Sequence, residues 1–526
     1  MISLNAFEEI GSFLMKWEAK TGRERRAVNE RNFAQISMPC DPAKLNTEHS
    51  LKALKLCDDI SAMYRSLKHL KGMAGRFCAR FFSNVKPSPS SQGYVGFGSF
   101  HSDNVEELIR IPSSRYSPPA RPVPFVDVRD LSQQTHLGTQ DIKKLFQIDF
   151  KNWDFINHGA FGASLLPASI YASSWRDFQE QQPLRFFDRV LLPEVIDVYR
   201  TMASWIGASP LNIAILQNVT TALNTIVKSE SAQWQQEDEI VTLNIGYGAV
   251  KTLLKTLCRA RGSTYREIQL EFPLSSDSIL EKVVNGVSDK TKFLLIDHVT
   301  SNTAIKLPIE QIAQACSNRG IVVAVDGAHS LLNLPLNCNQ LESCGIDYFT
   351  TNTHKWLCSP KGAGILWVSE RARSRLQPLV LSHGSHHGFT SAFSWDGCHD
   401  YTAILSLPAC LAVWQALGVD RVRSYIHTLA QQAASMLSNV WGTSILAPTL
   451  HTSMCLIELP VRSNKVLDST AAKHVQDYLF DKGVECPVKA IQGRLYVRIS
   501  AHVYNTMADY EKLSRTIQSY VLESPS

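Results

Sequence analysis

The residues best placed to do chemistry are Asp326 and Lys355, with His329 and His354 beside them. A continuous apolar run, Ile321 to Val325, ends at Asp326. A second, mostly apolar segment, Ile346 to Phe349, leads into a polar turn that carries His354 and Lys355. A third, Gly364 to Val368, follows a glycine-containing loop. Short apolar runs without alternation predict strands buried on both faces, as in a parallel α/β sheet. Open α/β sheets bind ligands at the carboxyl ends of their strands. Asp326 and Lys355 are therefore expected at neighbouring strand ends, in one site that offers a ligand a carboxylate and an amine.

Asp326-Gly327-Ala328-His329 followed by His354-Lys355 resembles the paired motifs of the pyridoxal-phosphate enzymes of aminotransferase class V, fold type I. The resemblance implies an α/β protein whose large domain has a mostly parallel sheet. A smaller C-terminal α/β domain follows, and this chain adds an N-terminal extension. It implies pyridoxal 5'-phosphate as cofactor. Asp326 would keep the pyridine nitrogen protonated, and Lys355 would hold the cofactor as a Schiff base and later act as a base. His329, Thr353 and His354 are expected to bind the cofactor with them. No metal ligand set is expected.

The elements that must position these groups are spread along a chain of 526 residues, enough for two or three domains. The expected division is an extension over 1–140, a cofactor-binding domain over 141–420 and a small domain over 421–526. A net charge of +5 is small for this length and argues against a nucleic-acid partner. Twelve cysteines are scattered without a CxxC pair, and there is no secretory signal or apolar run of membrane length. A cytoplasmic setting without membrane attachment is expected. From Met63 to Ser102, Arg65, Lys68, Lys71, Arg76, Arg80 and Lys86 occur with no acidic residue. This stretch reads either as a mitochondrial presequence, if translation starts at Met63 or Met73, or as a solvated basic linker. Residues 113–124 are rich in Pro and Ser and are expected to lack regular structure.

Further along, Phe155 to Gly162 resembles the LNHGSFG opening of the isopenicillin N epimerase-like branch, which borders the substrate entrance; His158 is carried over as substrate-binding. Ile215 to Ile226 reads as strand, turn and helix, with Thr220 and Thr221 as N-cap and first-turn residues. A helix amino terminus offers N–H groups and a positive dipole end to a phosphate. The resemblance assigns the cofactor phosphate to Thr220, Thr221 and Ala222, and ring stacking and a catalytic role to Tyr247. Asp297 to Ala304 resembles the branch's DHVTSxTA segment, which implies that His298 lies over the site as a catalytic group. Trp395 to Asp400 resembles a W-x-GT-x-D stretch that reaches the phosphate of a partner subunit. Gly397 keeps its N–H for that contact, whereas Cys398 stands where the family has Thr. The same stretch implies a homodimer with shared active sites. Arg498, in a closing R-x-S motif, is the implied clamp for a substrate α-carboxylate, whose two oxygens its planar fork fits.

The implied substrate is a small amino acid. The branch includes epimerases and the lyases that cleave hercynylcysteine sulfoxide. Elimination needs one base, which Lys355 supplies; epimerisation needs a second acid on the opposite face. The sequence therefore favours a C–S lyase acting on a cysteine-derived substrate, with an epimerase or a cysteine desulfurase as alternatives. Cys486 is the desulfurase candidate, though the mobile R-x-GHHC loop of one desulfurase branch is absent. An inactive scaffold is the reading of a different class.

Overall fold

The computed structural model describes residues 102–449, 452–461 and 466–523. Met63, Met73 and the basic stretch around them lie outside the described residues.

Seven strands form the central sheet: β1 (Ile213–Leu216), β2 (Glu239–Leu243), β3 (Thr264–Ile268), β4 (Thr291–Asp297), β5 (Val322–Asp326), β6 (Tyr348–Asn352) and β7 (Gly364–Val368). Their spatial order is β1-β7-β6-β5-β4-β2-β3. All run parallel except β7, which is antiparallel to both neighbours. Helices α1 (Leu166–Gln181), α2 (Leu191–Trp205), α3 (Val219–Ser231), α4 (Gly248–Arg261), α5 (Ser276–Gly286) and α6 (Ile309–Ser317) cover it. Alternate residues of one strand enter different cores. On β4, Phe293 and Leu295 join the core of α3 and α4, while Leu294 and Ile296 join that of α1, α2, α5 and α6. With apolar surface on both faces, the strand sequences cannot alternate.

The long helices α7 (Leu407–Leu417) and α8 (Val419–Trp441) lead to the C-terminal part. There β8 (Met454–Glu458), β9 (Val488–Ile491) and β10 (Arg494–Ser500) pair antiparallel in the order β9-β10-β8. With α8, α9 (Ser469–Asp481) and α10 (Met507–Glu523) they enclose a separate apolar core. A short parallel pairing of Asp154–Phe155 with Val484–Glu485 ties the entrance segment to this part. No single described helix is long and apolar enough to cross a membrane.

The expected boundary at residue 140 needs correction. Val105 and Ile109, one helical turn apart on Ser102–Arg110, are buried in the main core together with Val123. Arg121 pairs with Asp197 of α2 at 3.3 Å, and the Arg200 guanidinium lies 4.0 Å over the Tyr116 ring. Residues 113–124 have no regular structure for most of their length, yet these anchors fix them against α2.

Candidate active site

β5 and β6 are adjacent and parallel, so their carboxyl ends open on the same edge of the sheet. Asp326 closes β5, and Lys355 follows β6 by three residues. Both line one cavity of about 250 Å³ with His329, His354, Tyr247 and Thr220. Lys355 Nζ lies 3.2 Å from His329 Nε2. On the other side of that ring, Trp356 Nε1 donates to His329 Nδ1 at 3.3 Å. An indole N–H can only donate, so Nδ1 must be the unprotonated nitrogen and the proton of this neutral imidazole sits on Nε2, facing the lysine. Burial and the neighbouring Lys355 charge keep His329 neutral, with a pKa well below the usual histidine range.

The charges in the cavity bias one another. Burial brings the Lys355 ammonium down to about 8; Asp326 opposes that fall and Arg498 adds to it. Asp326 Oδ1 accepts from the Ala328 N–H at 2.9 Å, yet burial still raises its pKa. Asp297 pairs in register with Asp326 on the next strand and also lines the cavity. Burial, then Asp326, pushes its carboxyl well above the usual range. A testable consequence concerns the amine. Because its pKa is depressed, neutral Lys355 accumulates as pH rises through about 8, not 10.5. Reductive methylation of cofactor-free protein, read by mass spectrometry of the Lys355 peptide, is expected to follow that midpoint. A midpoint near 10.5 would show an amine unaffected by burial.

The start of α3 differs by a turn position from expectation. Its N-cap is Asn218, whose Oδ1 accepts from Thr221 N at 2.9 Å, not Thr220. Asn is among the best N-cap residues because its short carbonyl reaches the N3 amide. Thr221 Oγ1 turns back to Asn218 Oδ1 at 3.3 Å, and the buried Ala222 gives its N–H to Asn218 O at 3.1 Å. Of the three residues expected at a phosphate, Thr220 is the one that lines the cavity. Asn352 Oδ1 accepts from Val219 N at 3.1 Å and so locks the end of β6 to α3. This close approach needs Gly364, where a Cβ would stand 2.9 Å from Asn218 Cα.

Tyr247 immediately precedes α4 and is 44% exposed on the cavity wall. Arg498, on β10, is buried; its Nη2 donates to Asn157 Oδ1 at 3.2 Å and its Nη1 to Ser301 O. Burial lowers its pKa to about 10, so it remains a cation at neutral pH.

Other expected site residues point elsewhere. His158 is fully buried behind Lys355: its Nε2 meets Lys355 O at 2.9 Å and its Nδ1 meets Tyr504 Oη at 2.8 Å. The entrance segment packs onto the lysine turn because Gly162, at φ +64°, leaves room; a Cβ there would fall 2.0 Å from His354 O. His158 therefore supports the Lys355 main chain and is not part of the cavity wall. Its ring stacks on His502 at 3.9 Å, with Cys358 Sγ 3.6 and 3.5 Å from their Nε2 atoms. Stacked rings aim their lone pairs along nearly parallel lines, so one ion would not lie in both ring planes, and the trio reads as packing.

His298 follows Asp297, and successive residues at a strand end face opposite sides. Asp297 and Ser301 line the cavity; His298 turns away to Ser330 Oγ, 2.8 Å from its Nδ1, and burial takes its pKa to about 3. It is not a group over the cavity. Thr353 is buried and its hydroxyl donates to Ala363 O at 2.7 Å, so it too is turned from the cavity. Gly397 lies outside the cavity wall, beside the exposed Cys398. Asn218, Asn352, Asp297 and Trp356 were not anticipated as site residues. An Asn ahead of a helical apolar pattern was a usable signal for Asn218; Asn352 and Trp356 carry none as isolated residues.

The model of the family described as aminotransferase class-V matches residues 194–513. The chain belongs to the aminotransferase class-V family. Among curated relatives, it is 28% identical to a probable chloroplastic L-cysteine desulfhydrase of Arabidopsis thaliana, over 76% of this chain and 89% of that protein. It is 24% identical to hercynylcysteine sulfoxide lyase of Schizosaccharomyces pombe, over 72% of this chain and 97% of that one. An isopenicillin N epimerase of Amycolatopsis lactamdurans is 26% identical over 64% and 87% of the two chains. Among solved structures, the cystine C–S lyase C-DES in complex with its product cysteine persulfide superposes with a TM-score of 0.61 at 19% identity, covering 70% of this chain and 97% of that one. In this class-V chain the matched region holds the sheet, both motif strands and Arg498.

Proposed function

We propose that the chain is a pyridoxal-phosphate-dependent C–S lyase acting on a cysteine-derived amino acid. The observation that carries this reading is the Lys355 amine, depressed to about 8 and 3.2 Å from His329 Nε2, in one cavity with the Asp326 carboxylate. The residues present fit the cofactor. Lys355 would hold it covalently, Asp326 its pyridine nitrogen, Tyr247 its face, and Thr220 with the start of α3 its phosphate. Two buried polar atoms at the site, His354 Nδ1 and Arg498 Nε, have no hydrogen-bond partner among the described residues. When bound, pyridoxal phosphate supplies the electron sink that lets a Cα proton leave.

The chain's own groups account for the rest. The Arg498 fork takes the substrate α-carboxylate and fixes which Cα bond is presented. Lys355 Nζ, close to neutral pH in pKa, accepts the Cα proton. His329 keeps its Nε2–H toward that nitrogen and stays neutral. Val250 and Leu253 give the cavity an apolar wall that limits water. Loss of the Cα proton and of the β-sulfur leaving group, which departs as the thiol or its oxidised form with a proton, frees 2-aminoacrylate. Its imine tautomer is hydrolysed by water to pyruvate and ammonia.

Two features favour the lyase over its relatives' other reactions. Epimerisation needs a second proton donor near Tyr247 or His298; His298 faces Ser330, which leaves Tyr247 on the cavity wall as the one candidate for it. Desulfuration through a persulfide needs a mobile thiolate, and burial fixes Cys486 as a thiol with its pKa raised. The homodimer belongs to this proposal: Gly397 would serve the site of a second copy.

Incubation with L-cysteine, cysteine S-conjugates and their sulfoxides is expected to release pyruvate and ammonia in equal amounts. Racemised amino acid without pyruvate would replace the proposal with an epimerase. Alanine with bound persulfide would replace it with a desulfurase, and a protein that takes up no cofactor would leave the scaffold.

A further inference from the structure

The clamp itself is held by a group the family reading does not use. Arg498 Nη2 donates to Asn157 Oδ1 at 3.2 Å, and Asn157 Nδ2 donates in turn to Glu485 Oε1 at 2.9 Å. Backbone register creates the contact. Phe155 lies opposite Glu485 in the short parallel pairing, and Ile156 N donates to Glu485 O at 3.2 Å. Asn157 is two residues beyond Phe155, so it returns to the same face.

An amide can sit either way round, and the choice matters here. A carboxylate only accepts and a guanidinium only donates. With Glu485 on one side and Arg498 on the other, the amide satisfies both only with Nδ2 toward Glu485 and Oδ1 toward Arg498. The reverse orientation would set donor against donor beside a buried cation. Ser301 O fixes Nη1. Nε, buried and without a partner among the described residues, is then left with the adjacent side of Nη2 as the edge offered to a carboxylate.

We infer that Glu485 is a positioning residue for the substrate carboxylate, acting through the Asn157 amide to hold the Nε–Nη2 edge of Arg498 toward the site. This rests on the proposed role of Arg498. Glu485 itself is half-buried and lies outside the wall of the Lys355 cavity; it faces a neighbouring cavity that shares Ala160 and Phe161 with it.

The experiment titrates the visible absorption of holoprotein with glycine and, in parallel, with ethylamine, which lacks the carboxylate. Glu485→Ala is expected to weaken the glycine response about tenfold, the scale of one lost charge-assisted hydrogen bond. The ethylamine response should stay as in the native protein, and Glu485→Gln, which keeps an acceptor of the same length, should restore most of the glycine response. Unchanged glycine binding in Glu485→Ala would overturn the inference while leaving the proposed function standing. Equal losses for both amines would reduce Glu485 to a structural part, and a Gln variant as weak as Ala would overturn the amide-orientation argument. A native protein whose absorption ignores glycine would overturn the amino-acid reading and the inference together.

Discussion

Lys355→Ala is expected to lower turnover by roughly 10³-fold or more and to abolish the visible absorption that borohydride bleaches in the native protein. The size follows from how much depends on one atom. Lys355 is the only lysine among the residues lining the cavity. Its amine is also the nearest group able to take a proton in the right range, since burial holds His329 neutral and His354 at about 4. No neighbouring side chain among the described residues is placed to substitute for it. The loss should not come from unfolding. The substitution removes an ammonium that burial already disfavours, so the cofactor-free variant is expected to melt no lower than the native protein. Added methylamine would fill part of the space left by the side chain, and partial recovery of activity with it would support the proton-acceptor role. A variant that keeps native activity and native absorption would end the assignment of Lys355.

The part of this site visible in the sequence was the part fixed by strand ends. Asp326 and Lys355 stand where unalternating apolar runs stop, and parallel strands must bring those stops to one edge. Arg498 was visible for a different reason: it stands in the closing R-x-S stretch that resembles the family's motif. The errors have equally local causes. Thr220 looked like an N-cap because Thr is a good one, but Asn218 two residues earlier is at least as good and the helix starts there. His298 and Asp297 are adjacent, and nothing in the residue order says which faces the ligand; the register of β4 against β5 decides it. His158 sits among glycines that promise closeness to a ligand, and Gly162 does permit close approach, but to the His354 carbonyl. The contacts of Asn352 with α3 and of Trp356 with His329 join residues 133 and 27 positions apart, which no local pattern reveals. Residues 113–124 were expected to lack regular structure because they are rich in Pro and Ser, and most of them do, yet Val123 and two arginine contacts suffice to fix them against the core.

Asp326→Asn is expected to reduce turnover about 10²- to 10³-fold while retaining cofactor, the scale for removing one preorganised charge from the point where charge develops. Asn keeps the shape and can still accept from the Ala328 N–H. It removes the anion that would hold a proton on the pyridine nitrogen. The same change gives a second readout that does not depend on turnover. Asp326 is the largest influence raising the Lys355 pKa, whereas burial is the larger influence lowering it. Without the anion the ammonium loses a stabilising partner, so the reductive-methylation midpoint of Lys355 in the cofactor-free variant should move below about 8. Asp297 should respond in the opposite sense to its present state. Its carboxyl is held up by burial first and by Asp326 second, so removing Asp326 lets it ionise more readily. It then supplies part of the missing charge from one strand away, and the fall in Lys355 should be smaller than the drop that burial alone produces. Asp326→Asn with Asp297→Asn separates the two contributions: the double variant is expected to lose more than the product of the single losses, because Asp297 ionises more readily once Asp326 is gone and in the double variant cannot compensate. Full activity in Asp326→Asn, with the midpoint unmoved, would transfer the pyridine-facing role from Asp326 to Asp297.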